Sequence, residues 1–428
     1  MKKLARALLL VAAVLTLSTG VYLAAPAQAA GEITVVSDSH QTKFPTQIVF
    51  NLQARGTNQI EKVTLYYKVS GGDANSYARP SFTPGTDVSA QYSFDAQKSY
   101  IPPGTDITYY WQIEDANGNQ TKTDPVTFTY EDGRFKWQSV SLGSISVRYY
   151  SNESQAKDLL AGAAEAVRTQ STDLRVNYTR PLKIYVYASR SDMTDALPKK
   201  SETYDSATTT LGVRLSPEVL LLLGSQSGVK QTMFHEIMHM IVGAAAEGPY
   251  SEIPTWLNEG LAMWSEGKMT PEYKNEIDRA IKENRLLSVR ALTSFPGDPS
   301  LVNLSYGESW SIVSYMIDTY GIDKMADLLA VFKQGSTTDK ALTKVYGFNT
   351  DELDARWRAS IGAPPAQTSN SHGRTSQPQS VPTLTPLGSQ PQGTSSGTNV
   401  PLLAGVGGGV VIVAAGATVL LRRRHKAA

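Results

Sequence analysis

The 428-residue sequence contains no cysteine. That absence removes disulfides, thiol nucleophiles, redox pairs and every cysteine-ligated metal site. Histidine is nearly as scarce, with five in all: His40, His235, His239, His372 and His425. A surplus of positive charge is also missing. Of the formal net charge of +1, the first 29 residues hold +3 and the last seven hold +4, which leaves −6 for the remainder. With no basic excess there, a nucleic-acid-binding protein is excluded, because phosphate binding rests on Lys and Arg. Cohesion must come from core burial, for which the chain is long enough.

The two ends are different in kind from the body. Lys2, Lys3 and Arg6 precede an apolar run at residues 8–17, and Ala27-Gln28-Ala29 supplies a small-residue exit. Residues 1–29 therefore read as a secretory signal peptide. Residues 402–421 carry no charge and are long enough to cross a bilayer as a helix. Arg422, Arg423, Arg424 and Lys426 follow, as expected of a cytoplasmic flank. The expected topology is an extracellular N-terminal body, one transmembrane helix at 402–421 and a cytoplasmic tail at 422–428. Residues 364–401, built from Ser, Thr, Pro, Gln and Gly with Arg374 the one Arg, Lys, Asp or Glu, cannot bury enough apolar surface to order themselves. They read as a disordered stalk. A Leu-Pro-x-Thr-Gly wall-sorting signal is missing, so the anchor is expected to be retained.

Residues 30–135 show period-two alternation: Val63, Leu65, Tyr67, Val69; Ala90, Tyr92, Phe94; Ile107, Tyr109, Trp111, Ile113; Val126, Phe128, Tyr130. Turn signals at Gly71-Gly72-Asp73, Pro84-Gly85, Pro102-Pro103-Gly104 and Asp115-Ala116-Asn117-Gly118 separate the runs. Short strands at this spacing predict an all-β sandwich, which resembles an immunoglobulin or fibronectin type III module. It carries no catalytic constellation. Residues 136–363 change to mixed α and β. Strands are expected at 144–150, 181–188 and 206–215, with a helix from 153 to 169 between the first two. Helical periodicity then dominates, at 229–242, 255–266, 271–283, 306–320, 322–334 and 350–360.

One stretch carries most of the chemistry: Phe234-His235-Glu236-Ile237-Met238-His239. On a helix, His235 and His239 share a face and can point at one ion. Glu236 sits about 100° round the helix, placed to reach a metal-bound water instead of the metal. Two core histidines could share this spacing without a metal, but histidines are too rare here for an accidental pair to be common. A zinc site needs a third ligand. No cysteine exists and no further histidine lies in 136–363, so that ligand must be a carboxylate. Glu259 is the leading candidate, twenty positions after His239 within Trp256-Leu257-Asn258-Glu259-Gly260-Leu261-Ala262. Thr255 is a plausible N-cap for its helix.

These two motifs together resemble those of the gluzincins, and the second resembles the zinc-binding helix of aminopeptidase N-like and peptidase-MA-like domains. The resemblance implies an α+β thermolysin-like zincin domain over 136–363. It implies one Zn2+ per chain held by His235, His239 and Glu259, with Glu236 as general base. Two further roles follow from the likeness. Tyr306, in Ser305-Tyr306-Gly307-Glu308, corresponds to the tyrosine that donates to the oxyanion in aminopeptidase-like relatives. Glu266, two turns beyond Glu259, corresponds to a carboxylate that orients a zinc histidine. The sequence departs from those relatives in one respect: the Gly-x-Met-Glu-Asn stretch that holds a substrate's free amine is missing. The strand at Thr210-Leu211-Gly212-Val213-Arg214-Leu215 can still pair with an extended peptide.

The expectation is thus an extracellular, membrane-anchored zinc metallopeptidase acting on peptides or proteins, an endopeptidase in preference to an aminopeptidase. The competing reading is a surface binding or adhesion protein that retains the fold without using it.

Overall fold

The computed structural model describes residues 32–70, 75–197, 209–214, 216, 218–248, 251–295, 298–366 and 410–413. The expected signal peptide, stalk residues 367–401 and the expected tail lie outside the described residues. A seven-stranded sheet comes first: β1 (Ile33–Lys43), β2 (Gln47–Val69), β3 (Ser76–Ala78), β4 (Gly85–Asp95), β5 (Thr105–Asp115), β6 (Gln120–Lys122) and β7 (Val126–Tyr130). The alternation read from the sequence appears along β5 as alternating buried and half-buried positions. β2 is 23 residues long and serves two neighbourhoods. Its first half pairs with β1 and β4, its second with β3 and β5, with register shifts between Arg55 and Lys62. The halves enclose one apolar core in which the Phe50 and Tyr109 rings meet edge-to-face at 4.9 Å. The region is β-rich as expected. Because one strand runs through both halves, the hydrogen bonding is continuous, and an immunoglobulin or fibronectin type III arrangement is not shown.

The second sheet has the order β13-β11-β12-β10-β9-β8, from β8 (Gln138–Leu142), β9 (Ile145–Tyr149), β10 (Leu182–Tyr187), β11 (Thr209–Arg214), β12 (Val219–Leu223) and β13 (Val410–Val413). β9, β10 and β12 run parallel, and α1 (Glu153–Asp173) makes the crossover between β9 and β10. Asn152 caps α1 by accepting from the Gln155 amide. The sequence reading missed β12. Val219-Leu220-Leu221-Leu222-Leu223 is buried throughout, and a strand covered on both faces shows no alternation to read.

The short α2 (Arg190–Thr194) follows β10. The helical half comprises α3 (Val229–Ala245), α4 (Thr255–Glu266), α5 (Pro271–Lys282), α6 (Val302–Tyr320), α7 (Ile322–Lys333), α8 (Thr338–Tyr346) and α9 (Thr350–Ser360). The sequence reading did not anticipate α8. Of the expected transmembrane helix at 402–421, the described part is β13, which is extended and pairs antiparallel with β11. Its Val-Val-Ile-Val composition is β-branched throughout, which favours strand over helix. Among the described residues, no helix is long and apolar enough to cross a membrane.

The two sheets meet through polar contacts. Lys183 Nζ lies 2.7 Å from Asp106, and the Tyr100 hydroxyl donates to the Ala196 carbonyl at 2.7 Å. Buried Asp132 accepts from the Tyr187 hydroxyl at 3.0 Å and from Arg134 Nη2 at 2.6 Å.

Candidate metal centre

α3 is buried almost all round from Thr232 to Val242, because Met233, Ile237, Met238, Ile241 and Val242 fill the faces that the polar residues leave. Its polar residues are therefore sealed inside. His235, Glu236, His239 and, from α4, Glu259 are 1%, 0%, 1% and 6% exposed. α4 begins one residue differently from the sequence expectation. Pro254, at φ −62° and ψ 144°, occupies the cap position and Thr255 is the first helical residue, with no side-chain cap. Proline lacks the N–H that a cap residue need not donate and is held at a compatible φ. Glu259 still falls one turn inside.

The structure brings His235, His239 and Glu259 together, with one ligand atom from each within 4.8 Å of the others. Glu259 Oε2 lies 3.5 Å from His235 Nε2 and 3.6 Å from His239 Nε2. These separations are long for hydrogen bonds. They suit two ligands of a common tetrahedral ion, since bonds of about 2.0–2.1 Å place neighbouring donors about 3.4 Å apart. His235 Nε2 and Glu259 Oε2 are buried with no hydrogen-bond partner, an arrangement that costs free energy unless a cation fills the gap. Two imidazoles and a carboxylate are a donor set that zinc accepts, so the residues fit the metal.

The other ring nitrogens are taken. His235 Nδ1 lies 2.6 Å from Glu266 Oε1, and His239 Nδ1 lies 3.0 Å from Asn258 Oδ1. Both acceptors favour a proton on Nδ1 and turn each Nε2 towards Glu259. Asn258 was missed, because an asparagine early in a helix reads as a capping residue; the one signal was its position next to Glu259. Burial disfavours charge on both partners, but Glu259 and Glu266 prevail and hold the His235 imidazole well above its usual range. Against the same burial penalty, His239 and His235 hold the Glu259 carboxyl well below the ordinary carboxylate range.

Glu236 faces β11. A Cβ on Gly212 would come 3.5 Å from Glu236 Cγ and 2.4 Å from Thr232 Cγ2, so only glycine lets the strand lie this close to α3. Tyr306 is buried on α6, edge-to-face with Phe295 at 5.0 Å. One turn further along α6, the Ser309 carbonyl packs against Gly260, next to Glu259 in the chain. A second tyrosine, Tyr273 of α5, is held in its neutral form by burial and by the carboxylates of Glu266, Glu272 and Glu259. Nothing in the sequence pointed to it.

No curated protein matches this chain. Among solved structures, an M1 zinc metallopeptidase from Deinococcus radiodurans aligns over 75% of this chain and 91% of its own, at 12% identity and a TM-score of 0.35. OgpA from Akkermansia muciniphila, a catalytically inactive form crystallised with an O-glycopeptide substrate, aligns over 24% of this chain at 12% identity and a TM-score of 0.20. That alignment spans 30% of OgpA. A family 56 carbohydrate-binding module, described as a β-1,3-glucan binding domain, aligns over 23% of this chain and 98% of its own, at 18% identity and a TM-score of 0.15. Residues 162–363 match the family model described as the Peptidase MA superfamily, and this part of the chain has a peptidase MA-like α+β fold.

Proposed function

We propose that the second sheet and its helices form a zinc metallopeptidase that hydrolyses peptide bonds within extended chains. The observation that carries this reading is the convergence of His235, His239 and Glu259, with both histidines turned by Glu266 and Asn258 so that Nε2 faces the carboxylate. Zinc held by these three residues would act as a Lewis acid towards the scissile carbonyl and the attacking water. The chain's own groups do the rest. Glu236 takes a proton from the water as its oxygen attacks the carbonyl carbon, then delivers that proton to the leaving nitrogen as the C–N bond breaks. Tyr306 donates a hydrogen bond to the developing oxyanion. The substrate backbone pairs with β11, which passes Glu236 at Gly212. The missing amine anchor favours internal bonds over N-terminal residues.

The proposal extends to location. The charged and apolar pattern of residues 1–29 and 402–428 supports export and a single-pass anchor, with the body outside the cell membrane and the C-terminus in the cytoplasm. The test of function is Glu236→Gln. It should leave zinc near one per chain while lowering hydrolysis of a denatured protein by roughly 10²–10⁴-fold. Activity at the wild-type level would refute the mechanism. An inactive wild-type chain that binds zinc would support the binding-protein reading instead.

A further inference from the structure

We infer that Val410–Val413 is a built-in competitor for the substrate edge of the cleft, and that insertion of its surrounding segment into a lipid bilayer releases that edge. The inference rests on the peptidase reading for its consequence, though not for its geometry. β11 has two edges. One is taken by β12, with Gly212 opposite Leu222, Val213 opposite Leu221 and Arg214 opposite Leu220. The other is the edge an extended peptide would use, and β13 occupies it antiparallel, with Thr209 opposite Val413, Thr210 opposite Ile412 and Val213 opposite Val410. Leu211 and Gly212 together face Val411, so the register slips where β11 passes Glu236. An edge accepts one strand at a time. While β13 is docked, no substrate backbone can pair there.

The chain is built to let this segment reach. Forty-three residues rich in Ser, Thr, Pro and Gln separate Ala366 from Val410. A random coil of 43 residues has a root-mean-square span of about 35 Å, so the length of this stretch suffices to return to the sheet. It also holds the segment at an effective concentration in the millimolar range, enough for a short strand of weak intrinsic affinity to occupy the edge. The docked state is not compatible with a membrane-spanning one. Residues 402–421 are uncharged over a bilayer's thickness, and in lipid they must be helical to satisfy their own backbone groups. Helical residues 410–413 cannot pair with β11. Membrane insertion and edge docking therefore exclude each other, and the anchored chain is the one with its cleft edge open.

The test uses the full zinc-loaded chain in buffer and in phosphatidylcholine–phosphatidylglycerol vesicles. Hydrogen exchange of the β11 amides, residues 209–214, is read beside cleavage of an internally quenched peptide. The double variant Val411→Pro/Ile412→Pro removes both N–H groups and breaks the pairing. The control Val411→Thr/Ile412→Thr keeps them along with the β-branching. In buffer, β11 amides of the wild type and the Thr control should exchange about tenfold or more slowly than those of the Pro variant. Transfer of the wild type to vesicles should raise exchange to the Pro level, and cleavage should rise in step. Equal β11 exchange in wild type and Pro variant in buffer overturns the proposal, as does unchanged exchange on transfer to vesicles. If exchange behaves as expected while no sample cleaves peptide, docking stands and the peptidase reading falls.

Discussion

His235 and His239 each meet a side chain of α4 through Nδ1 and turn Nε2 towards Glu259, so the helices fix the direction in which each imidazole faces. Asn258 Oδ1 sits 3.0 Å from His239 Nδ1. Asn258→Ala should free that ring and weaken zinc affinity by about 10–100-fold, read by competition with a chelator, with little change in fold. A second buried acid does different work. Glu308 of α6 is fully buried, its Oε1 accepting from the Leu287 amide at 3.0 Å while its Oε2 has no partner. Burial pushes its carboxyl up to about 8 from the ordinary 4.5, although the Leu287 amide and Arg358 pull the other way. Between those two values the folded chain holds a proton that the unfolded chain has released. Stability therefore falls as pH rises through that window and levels off above about 8. Glu308→Gln should flatten this slope, so that its Tm exceeds that of the wild type near pH 8.5 by more than it does near pH 5. A wild-type Tm that rises from about pH 5 to 8 in step with that of the Gln variant would count against the assignment.

Among the elements, α4 carries as much of the site as α3: Asn258, Glu259 and Glu266 all lie on it, and the Ser265 hydroxyl bonds back to the Phe234 carbonyl of α3 at 3.1 Å. Its position is set by the crossing with α6 at Gly260. A Cβ there would come 2.4 Å from both the Ser309 carbonyl oxygen and Val313 Cγ2. Glycine usually weakens a helix interior, but here it permits backbone contact. Gly260→Val should cost roughly 1–3 kcal/mol in denaturant unfolding and, by shifting α4, lower the zinc content of the purified chain. Unchanged stability would mean that α6 yields freely. At this scale the strongly periodic helices were legible from the sequence, as α4 and α9 show. β12 was not, because burial on both faces erased its alternation, and Asn258's partner was not, because only the approach of α3 to α4 supplies it.

For the whole molecule, the junction between the sheets turns on Asp132, which accepts from Tyr187 of β10 and from Arg134, while its carbonyl accepts from Trp137 Nε1 at 2.9 Å. Removing a buried carboxylate that holds a guanidinium leaves unpaired donors behind. Asp132→Ala should destabilise the chain by about 2–4 kcal/mol and split its thermal unfolding into two transitions, as the β-rich region uncouples from the helical half. A single transition at the wild-type Tm would show the two parts to be joined by other contacts. The long β2 belongs to this scale as well. Its second half was legible as the alternation of Val63, Leu65, Tyr67 and Val69, but that one strand serves both halves follows only from the register shifts between Arg55 and Lys62.

The sequence by itself determined the donor set. With no cysteine and a single histidine pair in the helical half, any metal site had to take a carboxylate, and the i, i+4 spacing put both imidazoles on one face of α3 whatever surrounds it. Tertiary structure alone decided which carboxylate turns inward, which atoms hold the rings and which strand lies against Glu236. Those depend on distances between segments that are remote along the chain, set by close crossings at Gly212 and Gly260 and by the packing of α3 on all sides. Tertiary structure also decided the conformation of Val410–Val413. The same β-branched, uncharged residues suit either a lipid-buried helix or a strand, and the open edge of β11 supplies the backbone partners that make the strand.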